Sequence, residues 1–369
     1  FSTDTQSYAV FGQLEYDLTE SVRVTAGVRW SREEKDIDFR QYFSLFTAPD
    51  SFNVEVEDGL GLGGAIWTFN PNEVTNAPGG PAFGFPLITG DPGDAEIDDD
   101  SITAKLSFEW TPNENILWYA SYNRGIKAGG FNAPIDATDF YAGDRDPSEM
   151  RFDEEVLDAI ETGFKWTFAN GLARLNGAVY YYDYQDYQAF ALDSLTTVVF
   201  NTDAESTGFE LELQASPTEG LDLMLGVAYI DNNVEDAFTR PNGQLVDRQA
   251  VLTPELNING MVRQEWDFSG GYIAAQADFN YMSKHYFQLK NSPVGEEDAY
   301  TLVNASITYS SKSRKWMVKG FVNNLFDEDH RLMVFDLAGD PASGGFGMAE
   351  NFAGSPRWWG VSVQHNFGE

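Results

Sequence analysis

Hydrophobic and polar residues alternate with a period of two, in segments of about ten residues, along the whole chain. In the last segment one face holds Trp359, Val361, Val363, His365 and Phe367, and the other holds Trp358, Gly360, Ser362, Gln364 and Asn366. The first set is mostly apolar and the second is mostly small or polar. This pattern is typical of a β-strand that has lipid on one side and water on the other.

The same alternation predicts about thirteen strands. They lie near 7–16, 22–33, 101–110, 116–126, 156–168, 172–185, 204–215, 221–231, 255–265, 272–282, 300–310, 316–325 and 356–367. Several place an aromatic residue at a strand end, as the interfacial girdles of a membrane barrel do. Those aromatic residues are Trp30, Trp110, Trp118, Trp166, Phe168, Trp316, Trp358 and Trp359.

The connections between these strands alternate in length. The short turns are Asp17 to Ser21, Thr111 to Asn115, Ala169 to Gly171, Ser216 to Gly220, Asp267 to Gly271 and Ser311 to Lys315. The long connections are rich in Gly, Pro and Asp and include about 34–100, 127–155, 232–254, 283–299 and 326–355. A soluble β-sandwich also alternates, but its strands run nearer about five or six residues. We therefore predict an all-β fold, an antiparallel transmembrane β-barrel with turns on one side and long loops on the other.

Composition narrows the classes of function. The chain has 58 Asp and Glu against 23 Lys and Arg, a net charge of −35, which argues against a nucleic-acid partner. There is no Cys, so neither disulfides nor thiolate metal sites stabilise the fold. No apolar run reaches the length of about eighteen residues that a transmembrane helix needs.

Two observations predict that further chain precedes residue 1. Residue 1 is Phe, and strand alternation begins within about ten residues of it without a signal peptide. An antiparallel single-chain barrel needs an even number of strands, and the predicted number is odd. We therefore expect missing strands upstream.

Several local patterns, taken together, resemble one family. They are A-V-F-G-Q-L-E-Y-D-L at 9–18, V-R-V-T-A-G-V-R-W at 22–30, L-W-Y-A-S-Y-N-R-G-I-K-A-G-G-F-N at 117–132, E-T-G-F-K-W at 161–166, S-T-G-F-E-L-E at 206–212, N-N-L-F-D at 323–327 and S-P-R-W-W-G-V-S-V-Q-H-N-F at 355–367. No single pattern is specific. In this order and with these spacings, essentially all 369 residues resemble the TonB-dependent outer-membrane receptors. One departure is that Gly368 and Glu369 follow Phe367, where family members commonly end on the terminal aromatic residue.

The resemblance implies a barrel of about twenty-two strands around a lumen that an N-terminal plug domain closes. Counted back from Phe367, residues 1–369 would be the C-terminal portion of that barrel. The plug domain, the first strands and the energy-coupling TonB box would lie upstream, so no residue is assigned to that motif. The implied location is the outer membrane of a Gram-negative bacterium.

Strand parity places charged residues of both signs on the lumen side. They are Arg23, Arg29, Lys105, Glu109, Glu161, Lys165, Arg174, Glu210, Glu212, Asp222, Asp278 and Lys319. Burial of an isolated charge is costly, so these side chains must meet water, each other or a polar plug. A water-filled porin wall explains them almost as well, and the resemblance favours the plug.

We expect no enzyme activity, no cofactor and no metal site. His285, His330 and His365 are the only histidines, and none lies in a nucleophile motif. His330 lies beside acidic residues in D-E-D-H-R at 327–331, and parity turns His365 toward lipid. One acidic run has a spacing that does not match a calcium loop, and it comprises Asp94, Glu96, Asp98, Asp99 and Asp100.

Candidate substrate-binding residues lie in the long loops. Aromatic faces with a few polar groups can hold a bulky solute before it enters the lumen. The candidates are Trp67, Phe69, Phe83, Phe85, Arg124, Lys127, Phe131, Asn132, Tyr141, Phe335 and Phe346. The aromatic candidates would serve equally well to pack the loops against one another. For Gly129 and Gly130 we favour a structural role at the rim.

The preferred hypothesis is a TonB-dependent active importer of a bulky solute such as a siderophore, cobalamin or an oligosaccharide. Its partners would be the N-terminal plug and remaining barrel strands, the inner-membrane TonB complex, outer-membrane lipid and an unknown small solute. These steps come from the resemblance. Two alternatives remain, a passive porin and a structural barrel that displays its loops to a surface protein partner. The sequence does not determine which solute is carried.

Overall fold

Thirteen long strands form one antiparallel sheet in the computed structural model, which describes residues 2–38, 94–132, 151–193, 196–239, 244–336 and 348–367. We number them in chain order as β1 Ser2–Thr19, β2 Val22–Asp38, β3 Asp94–Asn113, β4 Ile116–Lys127, β5 Glu155–Phe168, β6 Ala173–Asp193, β7 Thr196–Thr218, β8 Leu221–Thr239, β9 Leu256–Phe268, β10 Gly271–Met282, β11 Tyr300–Ser311, β12 Trp316–Asn323 and β13 Trp358–His365. Each strand pairs with the next along the chain, and each contains or overlaps one predicted strand. The predicted strand order is therefore confirmed.

Shorter elements lie at the loop end of this sheet. The strand Gln244–Arg248 pairs with the end of β8 and is the fourteenth strand. Three small hairpins stand apart from the sheet, Gly130–Phe131 with Arg151–Phe152, His285–Tyr286 with Glu296–Glu297, and Arg331–Asp336 with Ala349–Ala353. Two short 3-10 turns, Ala169–Gly171 and Pro293–Gly295, complete the regular structure of the described residues. Within those residues no helix is long and apolar enough to span a membrane.

The strands are longer than the alternation predicts, most clearly in β6 and β7. These have 21 and 23 residues, and they pair with each other well beyond the predicted strands 172–185 and 204–215. Asp186 adopts a positive φ of 54°, and the register shifts by one residue there. This bulge exchanges the faces of β6, so the period-two pattern breaks although the hydrogen-bond ladder continues.

The register divides the sheet into two faces. Residues that are directly opposite each other in neighbouring strands, such as Arg23 and Glu109 or Glu161 and Tyr180, lie on the same face. The face of each residue can therefore be followed from strand to strand. All the charged residues that are predicted to face the lumen lie on one face, which we call the charged face. Its members are Arg23, Arg29, Lys105, Glu109, Glu161, Lys165, Arg174, Glu210, Glu212, Asp222, Asp278 and Lys319.

The opposite face, which we call the apolar face, exposes large hydrophobic side chains. Val28, Ile102, Leu106 and Ile307 are each more than half exposed, at 56%, 58%, 53% and 63%. Contiguous exposure of this kind is unfavourable in water and suits contact with lipid. The apolar face is therefore the lipid-facing side of the sheet.

Aromatic residues form a girdle on the apolar face at the end that carries the short turns. Trp110 and Trp118 are opposite each other on β3 and β4. Trp166 and Phe168 have ring centroids 4.6 Å apart, and a similar contact of 4.3 Å joins Trp316 to His365. The register also places His365 on the apolar face, as parity predicts. Such girdles lie at the level of the lipid headgroups.

An arginine on the apolar face should be far more destabilising than one on the charged face. In β9, Val262 faces Leu223 and Ala277, whereas its neighbour Met261 faces Met224 and Asp278. We expect Val262→Arg to lower the free energy of unfolding in lipid vesicles by about 2–4 kcal/mol. Met261→Arg should change it much less, since the new cation can meet Asp278. Urea unfolding of both variants tests this, and equal losses would show that the faces are misassigned.

Candidate functional site

The predicted substrate-binding residues divide into two groups. Trp67, Phe69, Phe83, Phe85, Tyr141 and Phe346 lie outside the described residues. The described ones lie at the loop end of the sheet, which we call the rim. Four of them follow one another along the chain from β4, and Phe335 belongs to a separate hairpin; these residues are Arg124, Lys127, Phe131, Asn132 and Phe335.

Arg124 and Lys127 have opposite parity on β4. Arg124 pairs in register with Ala104 and Asp158, which places it on the apolar side of the sheet. Its guanidinium lies 3.2 Å from the Asp158 carboxylate. Lys127 has the parity of the charged face, and its Nζ atom lies 3.9 Å from Glu155. The fold therefore does not bring these two cations together toward one ligand.

Gly129 and Gly130 allow their backbone to lie close to Phe152. A Cβ atom at Gly129 would lie 2.7 Å from the carbonyl oxygen of Phe152, and one at Gly130 would lie 2.5 Å from the Phe152 ring. The Gly129 carbonyl also accepts a hydrogen bond of 2.6 Å from Lys35 Nζ. The structural role that the sequence predicts for these glycines is therefore supported, with close packing as its cause.

Asn132 fastens this segment to β7. Its side-chain nitrogen donates to the Val199 carbonyl at 2.7 Å, and its side-chain oxygen accepts from the Val199 amide at 2.7 Å. An asparagine that satisfies both main-chain groups of one residue replaces a strand partner. Both polar atoms of its side chain are thus occupied by the backbone. Phe131, next to it, pairs with Arg151 in the small hairpin.

Phe335 packs within its own hairpin. Its ring meets Phe352 edge to face, with centroids 6.0 Å apart, and about a third of it, 37%, remains exposed. The contact agrees with the prediction that loop aromatics pack against one another. The exposed part is still accessible to a solute.

A buried glutamine organises the rim between β5 and β6. Gln188 is 7% exposed, and its backbone amide donates to Glu155 at 2.8 Å. Its side-chain nitrogen donates to the carbonyls of Ala128 and Asp153 at 2.9 and 3.0 Å. These bonds satisfy main-chain oxygens that no sheet partner reaches. The chain therefore leaves and re-enters the sheet at a fixed point on either side of residues 128–154.

Two loops are clamped together by buried ion pairs. The Glu297 carboxylate is 5% exposed and accepts hydrogen bonds from Arg331 Nε at 2.6 Å and from the Arg331 amide at 2.9 Å. Asp336 is also 5% exposed, with Lys290 Nζ and Ser292 Oγ each 2.7 Å from its Oδ2 atom. We call these contacts the loop clamp. They join the 283–299 connection to the Arg331–Asp336 hairpin.

The outer side of the clamp carries a second acid, Glu296, whose side chain is 30% exposed. Tyr286 donates to Glu296 at 2.8 Å and Lys284 lies 3.3 Å from it. The hydrogen bonds from Tyr286 and Lys284 hold the pKa of the Glu296 carboxyl below its ordinary value. Glu296 is therefore ionised at neutral pH, but water screens this pair far more than it screens Glu297.

His330 and the acidic run of β3 take part in packing and ion pairs. The His330 ring stacks on Tyr300, with centroids 5.1 Å apart and an interplanar angle of 29°. Asp98 accepts from Arg32 at 2.5 Å, and Asp99 from Arg151 at 3.0 Å. Among the described residues no group of three or more His, Asp or Glu is placed to hold a metal ion.

Below the rim, tyrosines and carboxylates share the charged face. Tyr119 donates to Glu161 at 2.5 Å, and the rings of Tyr180 and Tyr182 stack with centroids 4.7 Å apart. Glycine makes room for them, because a Cβ atom at Gly163 would lie 2.7 Å from the Tyr119 hydroxyl. The wall therefore presents aromatic faces and acceptor oxygens, a surface suited to a polar filling.

Sequence reasoning missed Gln188 and the members of the loop clamp. None of these residues lies in an alternating segment, and their partners are more than thirty residues away in the chain. The only available signal was the position of Glu297 and Arg331 in the two connections that the clamp joins. Pairings of this kind depend on how the loops fold back, which periodicity does not report.

A family model described as "TonB dependent receptor-like, beta-barrel" matches residues 1–325. Solved structures give the same fold at low identity. The ferric yersiniabactin uptake receptor FyuA from Yersinia pestis has a TM-score of 0.71 and 18% identity, over 99% of this chain and 46% of its own. The siderophore receptor PiuA from Acinetobacter baumannii has a TM-score of 0.62 and 17% identity, over 98% and 42%.

A third similar structure is the closed form of the ferric-catecholate import receptor Fiu from E. coli K12. Its TM-score is 0.61 and its identity is 16%, over 99% of this chain and 45% of its own. The chain thus spans less than half the length of each of these receptors. At such identities the likeness concerns the fold.

Loss of the Glu297 charge should loosen both loops at once. We expect Glu297→Gln to lower the free energy of local opening by roughly 2 kcal/mol, since it weakens two hydrogen bonds to a buried carboxylate. Hydrogen exchange should then rise both in residues 283–299 and in the Arg331–Asp336 hairpin. The neighbouring Glu296→Gln is the matched control and should leave the hairpin protected. Faster exchange in only one of the two loops would contradict the clamp.

Proposed function

Since the chain belongs to the TonB-dependent receptor-like β-barrel family, we propose that it forms part of an active outer-membrane transporter that imports a bulky solute. The family consists of receptors and transporters of the outer membrane. The observation that best supports import is the match of the receptor family model to residues 1–325, and the continuous charged face of thirteen adjacent strands is compatible with it. A wall with so many charges requires a polar occupant, either water or a plug.

We propose ferric chelates as the first class of solute to test. FyuA is a receptor for ferric yersiniabactin, PiuA is a siderophore receptor and Fiu imports ferric catecholates. The solute would bind at the rim and pass along the charged face into the cell envelope. Lys127, Phe131 and the exposed part of Phe335 are the described candidates for the first contact. The energy for import would come from the inner-membrane TonB complex.

We also propose that upstream chain supplies the plug and the remaining strands. Within the described residues β1 pairs only with β2, so an edge of 18 residues has no partner. An unpaired edge of that length cannot stand in lipid, where each unsatisfied backbone group costs several kcal/mol. The length of FyuA, of which this chain covers 46%, leaves room for both parts.

Uptake should depend on the energy-transducing complex. The full receptor would be expressed in a Gram-negative strain that lacks its own siderophore receptors, and radioactive iron would be supplied as a panel of ferric chelates. We expect accumulation of at least one chelate, and its loss when TonB is deleted. Equal accumulation without TonB, together with steady conductance of the purified receptor in planar bilayers, would favour the passive porin. No uptake and no conductance would favour the structural barrel.

The polypeptide in the membrane should be about twice the size of this chain, which has a mass of 41.1 kDa. Intact mass and peptide sequencing of the receptor extracted from outer membranes would measure this. Peptides from a plug-like segment upstream of Phe1 are the expected result. A mature protein that starts at Phe1 with no companion fragment would contradict the plugged transporter.

A further inference from the structure

A recess that contains Arg29 and Lys105 lies on the charged face where β1 to β5 are adjacent. Its volume is about 450 Å³. The residues that matter for its chemistry are Gln13, Arg29, Thr103, Lys105 and Asn123. All five have the parity of the charged face. The recess therefore opens toward the lumen.

Small residues create the recess. One row across the strands runs Gln13, Gly27, Lys105, Asn123 and Ala159, each opposite the next. Gly27 and Ala159 leave a depression in this row. In the neighbouring row, a Cβ atom at Gly125 would meet nothing within 4 Å, so that side of the recess is open space.

The two cations of the recess have no partner among the described residues. Neither Arg29 nor Lys105 makes a hydrogen bond or an ion pair there, and they are diagonal neighbours, since Arg29 is opposite Thr103 and Gly27 is opposite Lys105. Diagonal positions lie about 7–8 Å apart, close enough for both side chains to reach one group. The other polar residues that line the recess are the neutral Gln13, Thr103 and Asn123, and Arg124, whose guanidinium is paired with Asp158.

The rim shows the opposite arrangement. Its cations lie 3.9 Å or less from a carboxylate oxygen, so they are neutralised within the wall; they include Arg32, Lys35, Arg124, Lys127, Arg151, Lys284, Lys290, Arg331 and Arg357. In a chain with a net charge of −35, carboxylates are plentiful. Lys165 and Arg174 are a second diagonal pair of cations on the charged face, but the carboxylate of Glu114 lines the recess that they share, and no carboxylate lines the recess of Arg29 and Lys105.

We propose that the recess binds an anionic oxygen group, a carboxylate or phosphate, that a solute presents during transport. The inference rests on the proposed transport function. A guanidinium donates a fork of two N–H groups to such an anion, and an ammonium adds a third donor. Asn123 and Gln13 already donate to Ser121 and Glu15, so each amide has one further N–H group for an anion. Phe11 and Leu157 offer apolar contact at the edge of the recess.

The charge of the chain restricts the solute further. An excess of 35 negative charges repels a polyanion at the rim, whereas a single anionic group on a larger neutral or apolar body is repelled much less. The solute class that fits is therefore a bulky molecule with one localised anionic group. A carboxylate of the proposed plug has the same chemistry and is the other source of such a group.

Phenyl phosphate is a suitable probe for the full receptor, since it joins one anionic group to an apolar body. Its dissociation constant would be measured from line broadening in phosphorus NMR. We expect the double variant Arg29→Gln with Lys105→Gln to weaken binding by about tenfold or more. The turn variant Lys312→Gln removes a cation elsewhere and should leave binding unchanged.

A second pair of variants tests the recess without altering charge. Gly125→Leu fills the open space and should weaken phenyl phosphate binding. Gly320→Leu is the matched control, because Gly320 also has nothing within 4 Å of its Cβ position but lies on the apolar face. Equal effects of these two variants, or binding that does not depend on the recess cations, would overturn the proposal.

The melting temperature of the same variants identifies the source of the anion. If phenyl phosphate does not bind the wild-type receptor but loss of the two cations lowers the melting temperature more than Lys312→Gln does, the plug supplies the carboxylate and the assigned chemistry stands. If neither binding nor melting responds, the proposal is wrong. Binding to the recess without uptake in cells would refute only the transport function, and uptake without such binding or melting effect would refute only the recess.

Discussion

The hydrogen-bond ladder between adjacent strands governs this structure. In the hydrocarbon of a bilayer no water is available for backbone N–H and C=O groups, so each strand must be paired on both edges. A paired strand has a strict period of two, and an unbroken ladder carries one parity from β1 to β13. For this reason Arg23 near the start of the chain and Lys319 near its end share one face. A register shift of one residue in any strand would place its charged side chains on the side that faces lipid.

Where the strands leave the lipid, a different set of interactions takes over. In the loop-end parts of β6 and β7, a bulge at Asp186 exchanges the faces. Stability there comes from a small apolar cluster that includes Ala189 and Val234, and from polar side chains that satisfy main-chain groups, as Gln188 and Asn132 do. Buried pairs such as Glu297 with Arg331 join distant loops. A partner lost from such a pair leaves a buried charge, which makes the rim sensitive to single substitutions.

The distribution of cations connects the fold to the proposed transport. At the rim each cation discussed above has a carboxylate neighbour that neutralises its charge. The remaining carboxylates leave the entrance with a net negative charge. On the charged face, Arg29 and Lys105 have no such neighbour among the described residues. A solute would therefore pass an acidic entrance before it meets positive charges that have no carboxylate neighbour. This order selects against polyanions and favours a solute with one anionic group.

The sequence by itself determined the class of fold, the order of the strands, the two faces and the girdle that includes Trp110 and Trp166. It could do so because contact with lipid on one side imposes a local, periodic requirement on every strand. Only the tertiary structure decided that β6 and β7 continue past Tyr184, that Arg124 turns away from Lys127, and that Asn132 is used by the backbone of Val199. It also determined that the loop clamp forms, and that Arg29 and Lys105 have no carboxylate partner among the described residues. These features depend on contacts between segments far apart in the chain, and no local pattern of apolar and polar residues encodes such contacts.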